Sequence, residues 1–265
     1  MIIYKDTNPE APRDFIMEEN INTEFIGRTI YYFDTTDSTN NEAKKHSDCP
    51  EGTVFVAKVQ TAGRGRKGRN WASDSNGLWF SILLKPDISP EEVSQITLVL
   101  GIAVTNVIKN SYIKWPNDIV MGSKKLAGIL TEMSTTENKV NYVVAGIGIN
   151  INTPVFSDEI SDIATSLYIE NGIEYSKEKI LADLCSEIEF WYKKFRKSGF
   201  SECREEYISR CITLNREVCI KNGNDSYIGR AVDVNNNGEL TVKTDKGDTD
   251  VLSGEVSVRG LFGYI

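Results

Sequence analysis

Residues 89–107 spell a helix with a buried face. Ser89-Pro90-Glu91-Glu92 offers an N-cap, a proline at the first helical position and a capping-box glutamate, and Val93, Ile96, Leu100, Ala103 and Val107 then recur three and four apart. Such a stripe needs an apolar partner, and strands supply it. Gly52 to Gln60 and Leu78 to Lys85 precede the helix and Ile113 to Trp115 follows it. A helix threaded between strands covers a sheet, so the chain reads as an α/β (α+β) protein.

Asp118 to Met121, a Gly122-Ser123 turn and Lys125 to Glu132 read as a hairpin. Val140 to Ile151 reads as a long apolar strand containing glycines, with antiparallel pairing expected. A second long helix is expected from about Ser176 to Ser198, where Leu181, Leu184, Ile188, Trp191 and Phe195 keep the three-four spacing. Lys193, Lys194, Arg196 and Lys197 crowd its end before Gly199, placed to answer the helix dipole. After about Leu214 short strands alternate with turns at Asn222-Gly223, Asn237-Gly238 and Lys246-Gly247-Asp248, the texture of a small β-barrel. No low-complexity linker intervenes, so the two parts are expected to pack closely.

Composition narrows function by exclusion. With 38 acidic against 30 basic residues the net charge is -8, which disfavours bulk binding to nucleic acid or a membrane. Lys5, Asp6, Glu10, Arg13, Asp14, Glu18 and Glu19 leave no apolar signal-peptide core, and Ile96 to Ile108 is too short to span a bilayer. A cytoplasmic location is expected. Cys49, Cys185, Cys203, Cys211 and Cys219 are odd in number, scattered and without a C-x-x-C, which suggests reduced thiols and no zinc framework. A catalytic triad or a multi-histidine metal site would rest on His46 alone, and His46 reads as a solvated surface residue.

Four segments carry chemistry. Gln60-Thr61-Ala62-Gly63-Arg64-Gly65-Arg66-Lys67-Gly68-Arg69-Asn70-Trp71 contains G-x-G-x-x-G, but its cations and the missing ribose-binding acid argue against a dinucleotide fold. Like charges on a glycine-rich loop repel, so the loop is expected to order when a polyanion neutralises it; a solvated, RNA-binding type of basic loop is the bland reading. Lys114-Trp115-Pro116-Asn117-Asp118 is followed by Lys125-Leu126-Ala127-Gly128-Ile129-Leu130, and the spacing suggests that Lys114 and Lys125 occupy two arms of one hairpin. Lys125 beside apolar neighbours needs a carboxylate or phosphate, while Lys114 and Trp115 fit a packing corner equally well. Asp37-Ser38-Thr39-Asn40 reads first as a helix cap and second as a polar ligand site. Glycines in Gly146-Ile147-Gly148-Ile149-Asn150 suggest close approach of a ligand or backbone, or tight packing.

Together these segments resemble the biotin protein ligase family, from about Ile26 to Ile265. The resemblance implies a mixed sheet with flanking helices similar to class II aminoacyl-tRNA synthetases, plus a C-terminal SH3-like β-barrel. Residues 1–25 would be an N-terminal extension, 26–213 the catalytic domain and 214–265 the barrel. It also implies formation of biotinyl-AMP from biotin and ATP with Mg2+, then transfer to a lysine of a biotin carboxyl carrier protein or carrier domain of a biotin-dependent carboxylase.

By the same resemblance Ser38, Thr39, Asn40, Gln60, Gly63, Arg64, Gly65 and Gly128 hold biotin, and Arg69, Trp71, Lys114, Asn117 and Asn150 face the nucleotide. Arg66 and Lys125 stand between the biotin carboxylate and the α-phosphate, and Asp118 orients Lys125 or a magnesium shell. No metal ligands are assigned. The segment before Ile26 is short for a helix-turn-helix domain, so DNA binding is not expected; a homodimer stays open, as do a lipoate or octanoate ligase and a non-enzymatic RNA-binding module.

Overall fold

The computed structural model describes residues 2–4, 21–222, 225–253, 257–260 and 264–265. Residues 5–20, on which the signal-peptide reading and most of the N-terminal extension rest, lie outside the described residues. Eight strands form one mixed sheet: β1 (Ile2–Tyr4), β2 (Ile30–Thr36), β3 (Val54–Gln60), β4 (Leu78–Leu84), β5 (Ser111–Lys114), β6 (Asp118–Met121), β7 (Lys124–Thr136) and β8 (Lys139–Ile149). Their spatial order is β1-β2-β3-β4-β8-β7-β6-β5. The first three run parallel and all other neighbours are antiparallel. The helices are α1 (Thr39–Lys45), α2 (Val93–Val107), α3 (Leu167–Asn171), α4 (Lys177–Ser198) and α5 (Ser201–Arg210).

Helix α2 starts as its sequence says, with one 3₁₀ turn at Pro90–Glu92 and the Glu92 carboxylate accepting the Ser89 amide at 2.9 Å. Its burial is wider than one face, because it packs against the sheet and against α4 and α5. Enclosed polar residues must then find partners inside. Thr105 Oγ1 donates to Gly101 O at 3.0 Å, and the Thr97 and Thr131 hydroxyls lie 2.8 Å apart.

Helix α4 is capped by Ser176, whose hydroxyl accepts the Lys179 amide, and ends at Gly199 with φ 73°. Two of its terminal cations serve carboxylates rather than the helix dipole alone: Lys193 Nζ lies 2.5 Å from Glu24 and Arg196 donates to Glu51 at 3.0 Å. Glu189 on the same helix accepts the backbone amides of Glu24, Phe25 and Ile26 at 2.7, 2.8 and 2.9 Å. It fixes the chain entering β2.

His46 is half-buried rather than fully solvated. It caps α1, its Nδ1 lies 2.9 Å from Glu42 O, and its half-buried ring packs on Tyr31 and Phe55. All five cysteines are free, and no described helix is long and apolar enough to cross a membrane.

A second, antiparallel sheet holds β9 (Glu217–Asn222), β10 (Asp225–Val234), β11 (Leu240–Thr244), β12 (Gly247–Val251) and β13 (Ser257–Gly260) in the order β12-β11-β10-β9-β13. The expected barrel is not closed: β12 and β13 are its edges, and no pairing joins them among the described residues. The turn expected at Asn222-Gly223 lies partly outside the described residues, while Asn237-Gly238 turns as its sequence suggests. Trp115 joins the two sheets. Its buried indole donates to Gly238 O at 3.1 Å and its backbone amide to Thr213 Oγ1 at 2.9 Å, so the packing reading of Trp115 accounts for its polar atoms.

Candidate active site

A cavity of about 650 Å³ opens between the first sheet, the glycine-arginine loop and the C-terminal sheet. Its walls bring together residues far apart in sequence. Ser38, Thr39, Asn40, Gln60, Arg64, Gly65 and Gly128 line it. Arg69, Trp71, Lys114, Asn117 and Asn150 line the same cavity, as do Arg66, Asp118 and Lys125. Gly63 is not among the lining residues; its carbonyl accepts the Trp71 amide at 2.9 Å and closes the base of the loop.

The polar region grows from the start of α1. Ser38 occupies the cap position in extended backbone, yet its side chain makes no capping hydrogen bond. Asp37 braces this start without capping it, accepting the Ser38 amide at 2.6 Å and the Asn41 side-chain amide at 2.8 Å. Neither Asp37 nor Ser38 gives the helix a side-chain cap, so the capping reading of this segment does not hold. The Thr39 amide donates to Gln60 Oε1 at 2.9 Å, and Asn40 Oδ1 accepts from Ser81 Oγ at 2.6 Å. The strand glycines admit side chains: a Cβ on Gly146 would stand 2.1 Å from Asn40 Oδ1, and one on Gly148 2.7 Å from Trp71 Nε1.

The loop folds back on itself through Gly65 N to Arg69 O at 2.7 Å, with a 3₁₀ turn at Arg66–Gly68. Arg66 turns inward, donating to Asn117 Oδ1 at 2.9 Å and to the carbonyl of Ser253, just after β12. Burial pushes its pKa down and Asp118 opposes the shift. Arg64 pairs instead with Glu132 at 2.8 Å and Asn41 at 2.9 Å.

Lys114 and Lys125 are not on two arms of one hairpin. Lys114 ends β5 and Lys125 lies on β7, with β6 between them. A bulge after Ile119 pairs Val120 with Lys125, while Asp118 pairs with Gly128. That extra residue puts Lys125 on the same face as Asp118; a regular ladder would send it to the other. Lys125 Nζ lies 2.6 Å from Asp118 Oδ1, and the Tyr264 hydroxyl donates to Asp118 Oδ2 at 2.6 Å. Burial pushes the Asp118 carboxyl up, but Lys125, Tyr264 and Lys114 together hold it below the usual value. Lys114 Nζ stands 3.7 Å from the Tyr264 ring centre and donates to the Tyr264 carbonyl.

The backbone of Lys125 is clamped by Ile163 O and the Thr165 amide, at 2.7 and 2.9 Å. Asn150 Nδ2 donates to Thr165 O at 3.0 Å. Trp71 Nε1 is buried with no hydrogen-bond partner, an orphan donor on the cavity wall. Among the described residues six cations, Arg64, Arg66, Lys67, Arg69, Lys114 and Lys125, line the cavity against one carboxylate, Asp118. Such a site suits an anion larger than one carboxylate. The sequence reading missed Glu132, Ser81, Ser253 and Tyr264; only Glu132, an acid at the end of an apolar strand, gave a local signal.

Residues 30–150 match the biotin/lipoate A/B protein ligase family, and residues 213–259 match the biotin protein ligase C terminal domain. Over 248 residues the chain is 34% identical to the bifunctional ligase/repressor BirA of Bacillus subtilis, a match covering 90% of this chain and 76% of that one. The chain belongs to the biotin protein ligase family. Another relative of this ligase, the biotin--[acetyl-CoA-carboxylase] ligase of Paracoccus denitrificans, is 28% identical over 85% of this chain and 98% of its own. Among solved structures, the biotin protein ligase from Aquifex aeolicus in complex with biotin and ATP superposes with a TM-score of 0.79 at 33% identity, over 88% of this chain and 99% of that one. The mixed sheet, its flanking helices and the C-terminal sheet are thus the biotin ligase fold.

Proposed function

We infer that this chain activates biotin with ATP as biotinyl-AMP and transfers the biotin to a lysine of a biotin carboxyl carrier protein. The observation that carries the reading is the Lys125–Asp118 ion pair at 2.6 Å, set in the same cavity as the neutral polar residues around Asn40 and the cations around Arg69. Biotin needs both characters: fixed donors and acceptors for its ureido ring, and positive charge where its carboxylate meets a triphosphate.

In the first step a biotin carboxylate oxygen attacks the α-phosphorus, a new O–P bond forms, and the bond to pyrophosphate breaks. Two anions must approach. Each cation about 4 Å from one offsets roughly 4 kcal/mol at an effective dielectric near 20, before desolvation. Lys125 and Arg66 are assigned that role, and Asp118 keeps Lys125 oriented between the two reactants. Ser38, Thr39, Asn40, Gln60, Arg64, Gly65 and Gly128 are assigned to biotin, with Gly63 shaping the loop. Arg69, Trp71, Lys114, Asn117 and Asn150 are assigned to the nucleotide, a role the free indole donor of Trp71 supports. In the second step the amine of a carrier lysine attacks the acyl carbon and AMP leaves.

Magnesium fits no protein cage among the described residues. The one carboxylate that lines the cavity among them, Asp118, is already partnered by Lys125 and Tyr264, so no step is assigned to a metal. The five free thiols suit a reducing compartment, and we place the reaction in the cytoplasm. Pyrophosphate release measured with biotin, lipoate and octanoate in parallel tests the reading: release with biotin alone is expected, and release only with the other two acids overturns it.

A further inference from the structure

Glu132 stands on β7 behind the cavity, outside its lining, with three donors on one carboxylate. Asn40 Nδ2 and Arg64 Nη2 each donate to Oε2 at 2.8 Å, and Lys44 Nζ to Oε1 at 2.7 Å. These donors come from the start of α1, from the root of the glycine-arginine loop and from the body of α1. The two residues that face the cavity among them are Asn40 and Arg64. Burial works against the Glu132 charge, yet Lys44, Asn40 and Arg64 hold its carboxyl below the usual value, so it stays an acceptor.

An ionised carboxylate only accepts, which settles the orientation of the Asn40 amide. Asn40 must present its NH₂ to Glu132, so its Oδ1 faces Ser81 and takes the Ser81 hydroxyl proton at 2.6 Å. Ser81 Oγ also lies 2.7 Å from Thr39 Oγ1, and the Thr39 hydroxyl donates to Gln60 Oε1 at 3.2 Å. Gln60 Oε1 accepts the Thr39 amide at 2.9 Å, and its Nε2 donates to Ser73 Oγ at 2.8 Å. A ureido group has one acceptor and two donors, so a pocket for it works only if its own amides keep one orientation.

We propose that Glu132 is a positioning residue for the biotin subsite: it fixes the Asn40 amide in one orientation and holds Arg64, the root of the loop, against the sheet. The proposal rests on the biotin ligase reading of the cavity. Replacing the carboxylate by an amide of the same shape allows Asn40 to turn over and removes the anchor from Arg64.

The test is Glu132→Gln in the full chain, with biotin-dependent pyrophosphate release and the rate of biotinyl-AMP escape as readouts beside a thermal melt. The expected result is a KM for biotin and an escape rate each raised about tenfold or more, with kcat at saturating biotin within about threefold of the parent. A residue that merely supports the fold lowers the melting temperature and leaves the KM of the folded fraction alone; that outcome overturns the proposal. Should Glu132→Gln not fold, Glu132→Asp, which keeps the charge but withdraws it by one methylene, is measured against the same criteria. Failure of the parent protein to release pyrophosphate with biotin overturns the functional reading and the proposal with it. An active parent with unchanged KM and escape rate in both variants overturns the proposal alone.

Discussion

The hydroxyl of Tyr264, one residue from the end of the chain, donates at 2.6 Å to the carboxylate of Asp118, and the same carboxylate holds Lys125 at 2.6 Å. The C-terminal tail thereby reaches the group assigned to the reacting phosphate. Tyr264→Phe keeps the ring over Lys114 and removes one hydrogen bond to a charged group, worth about 1.5 to 3 kcal/mol. The expected outcome is adenylation slowed by about tenfold or somewhat more, with KM for biotin unchanged. Single-turnover formation of biotinyl-AMP checks it, and a rate equal to the parent's removes Tyr264 from the assembly.

Lys125→Ala removes the cation between the two reactants, so adenylation is expected to fall by about two to three orders of magnitude. It also strands Asp118 with only Tyr264 and Lys114 to support its charge, so stability falls too. Adding Asp118→Asn is expected to restore stability but not rate. Denaturant melts and single-turnover kinetics on both variants separate the two effects; near-normal adenylation by folded Lys125→Ala excludes the assigned role.

Arg66→Gly severs the loop from Asn117 and from the Ser253 carbonyl at one stroke. Biotinyl-AMP is a mixed anhydride, reactive towards any exposed amine, so holding it is a function in itself. Losing a charge-assisted contact of about 1.5 to 3 kcal/mol speeds escape by roughly ten- to a hundred-fold. Biotin should then appear on lysines of bystander proteins. Labelling confined to the authentic carrier, with an unchanged escape rate, counts against Arg66 as the clamp.

The loop from Gly63 to Trp71 carries Arg64, Arg66, Lys67 and Arg69, whose mutual repulsion a bound polyanion relieves. Hydrogen exchange across 63–71 is expected to slow on addition of biotin and ATP at saturating concentrations. Equal exchange with and without them rules out closure of the loop over the substrates.

Glu189 governs acid stability. Burial raises its pKa, but the amides of Glu24, Ile26 and Phe25, with Lys193, bring it below the ordinary carboxylate value. A carboxyl depressed in the folded state contributes stability above its unfolded pKa, near 4.3, and loses it as pH falls through the lower folded value. Glu189→Ala removes the acceptor from three amides, of which that of Ile26 is buried, and is expected to cost about 1 to 3 kcal/mol at neutral pH, and less under acid. Urea melts between neutral pH and pH 3 check it; a cost independent of pH overturns the electrostatic account.

Much of the fold was legible because its signals are local. The Ser89 to Glu92 start of α2, the cap and glycine stop of α4 and the β-branched run of β3 each depend on neighbours within a few residues. β1, β2, α3 and α5 were not read, and α2 proved buried beyond its stripe, because those outcomes are set by packing between elements. His46 misled for the same reason: nothing near it in sequence announces Tyr31 and Phe55.

By itself the sequence determined the element types, the cationic loop, the glycine-bearing strand and the family resemblance that assigned roles to the motif residues. Only the tertiary structure decided which charges meet. A one-residue bulge after Ile119 turns Lys125 towards Asp118, the C-terminal tail brings Tyr264 to the same carboxylate, and three residues from α1 and the loop converge on Glu132. Side-chain period along a strand is two, so a single residue of register decides which face a lysine serves, and that register is fixed by pairing with distant strands rather than by the residues beside it.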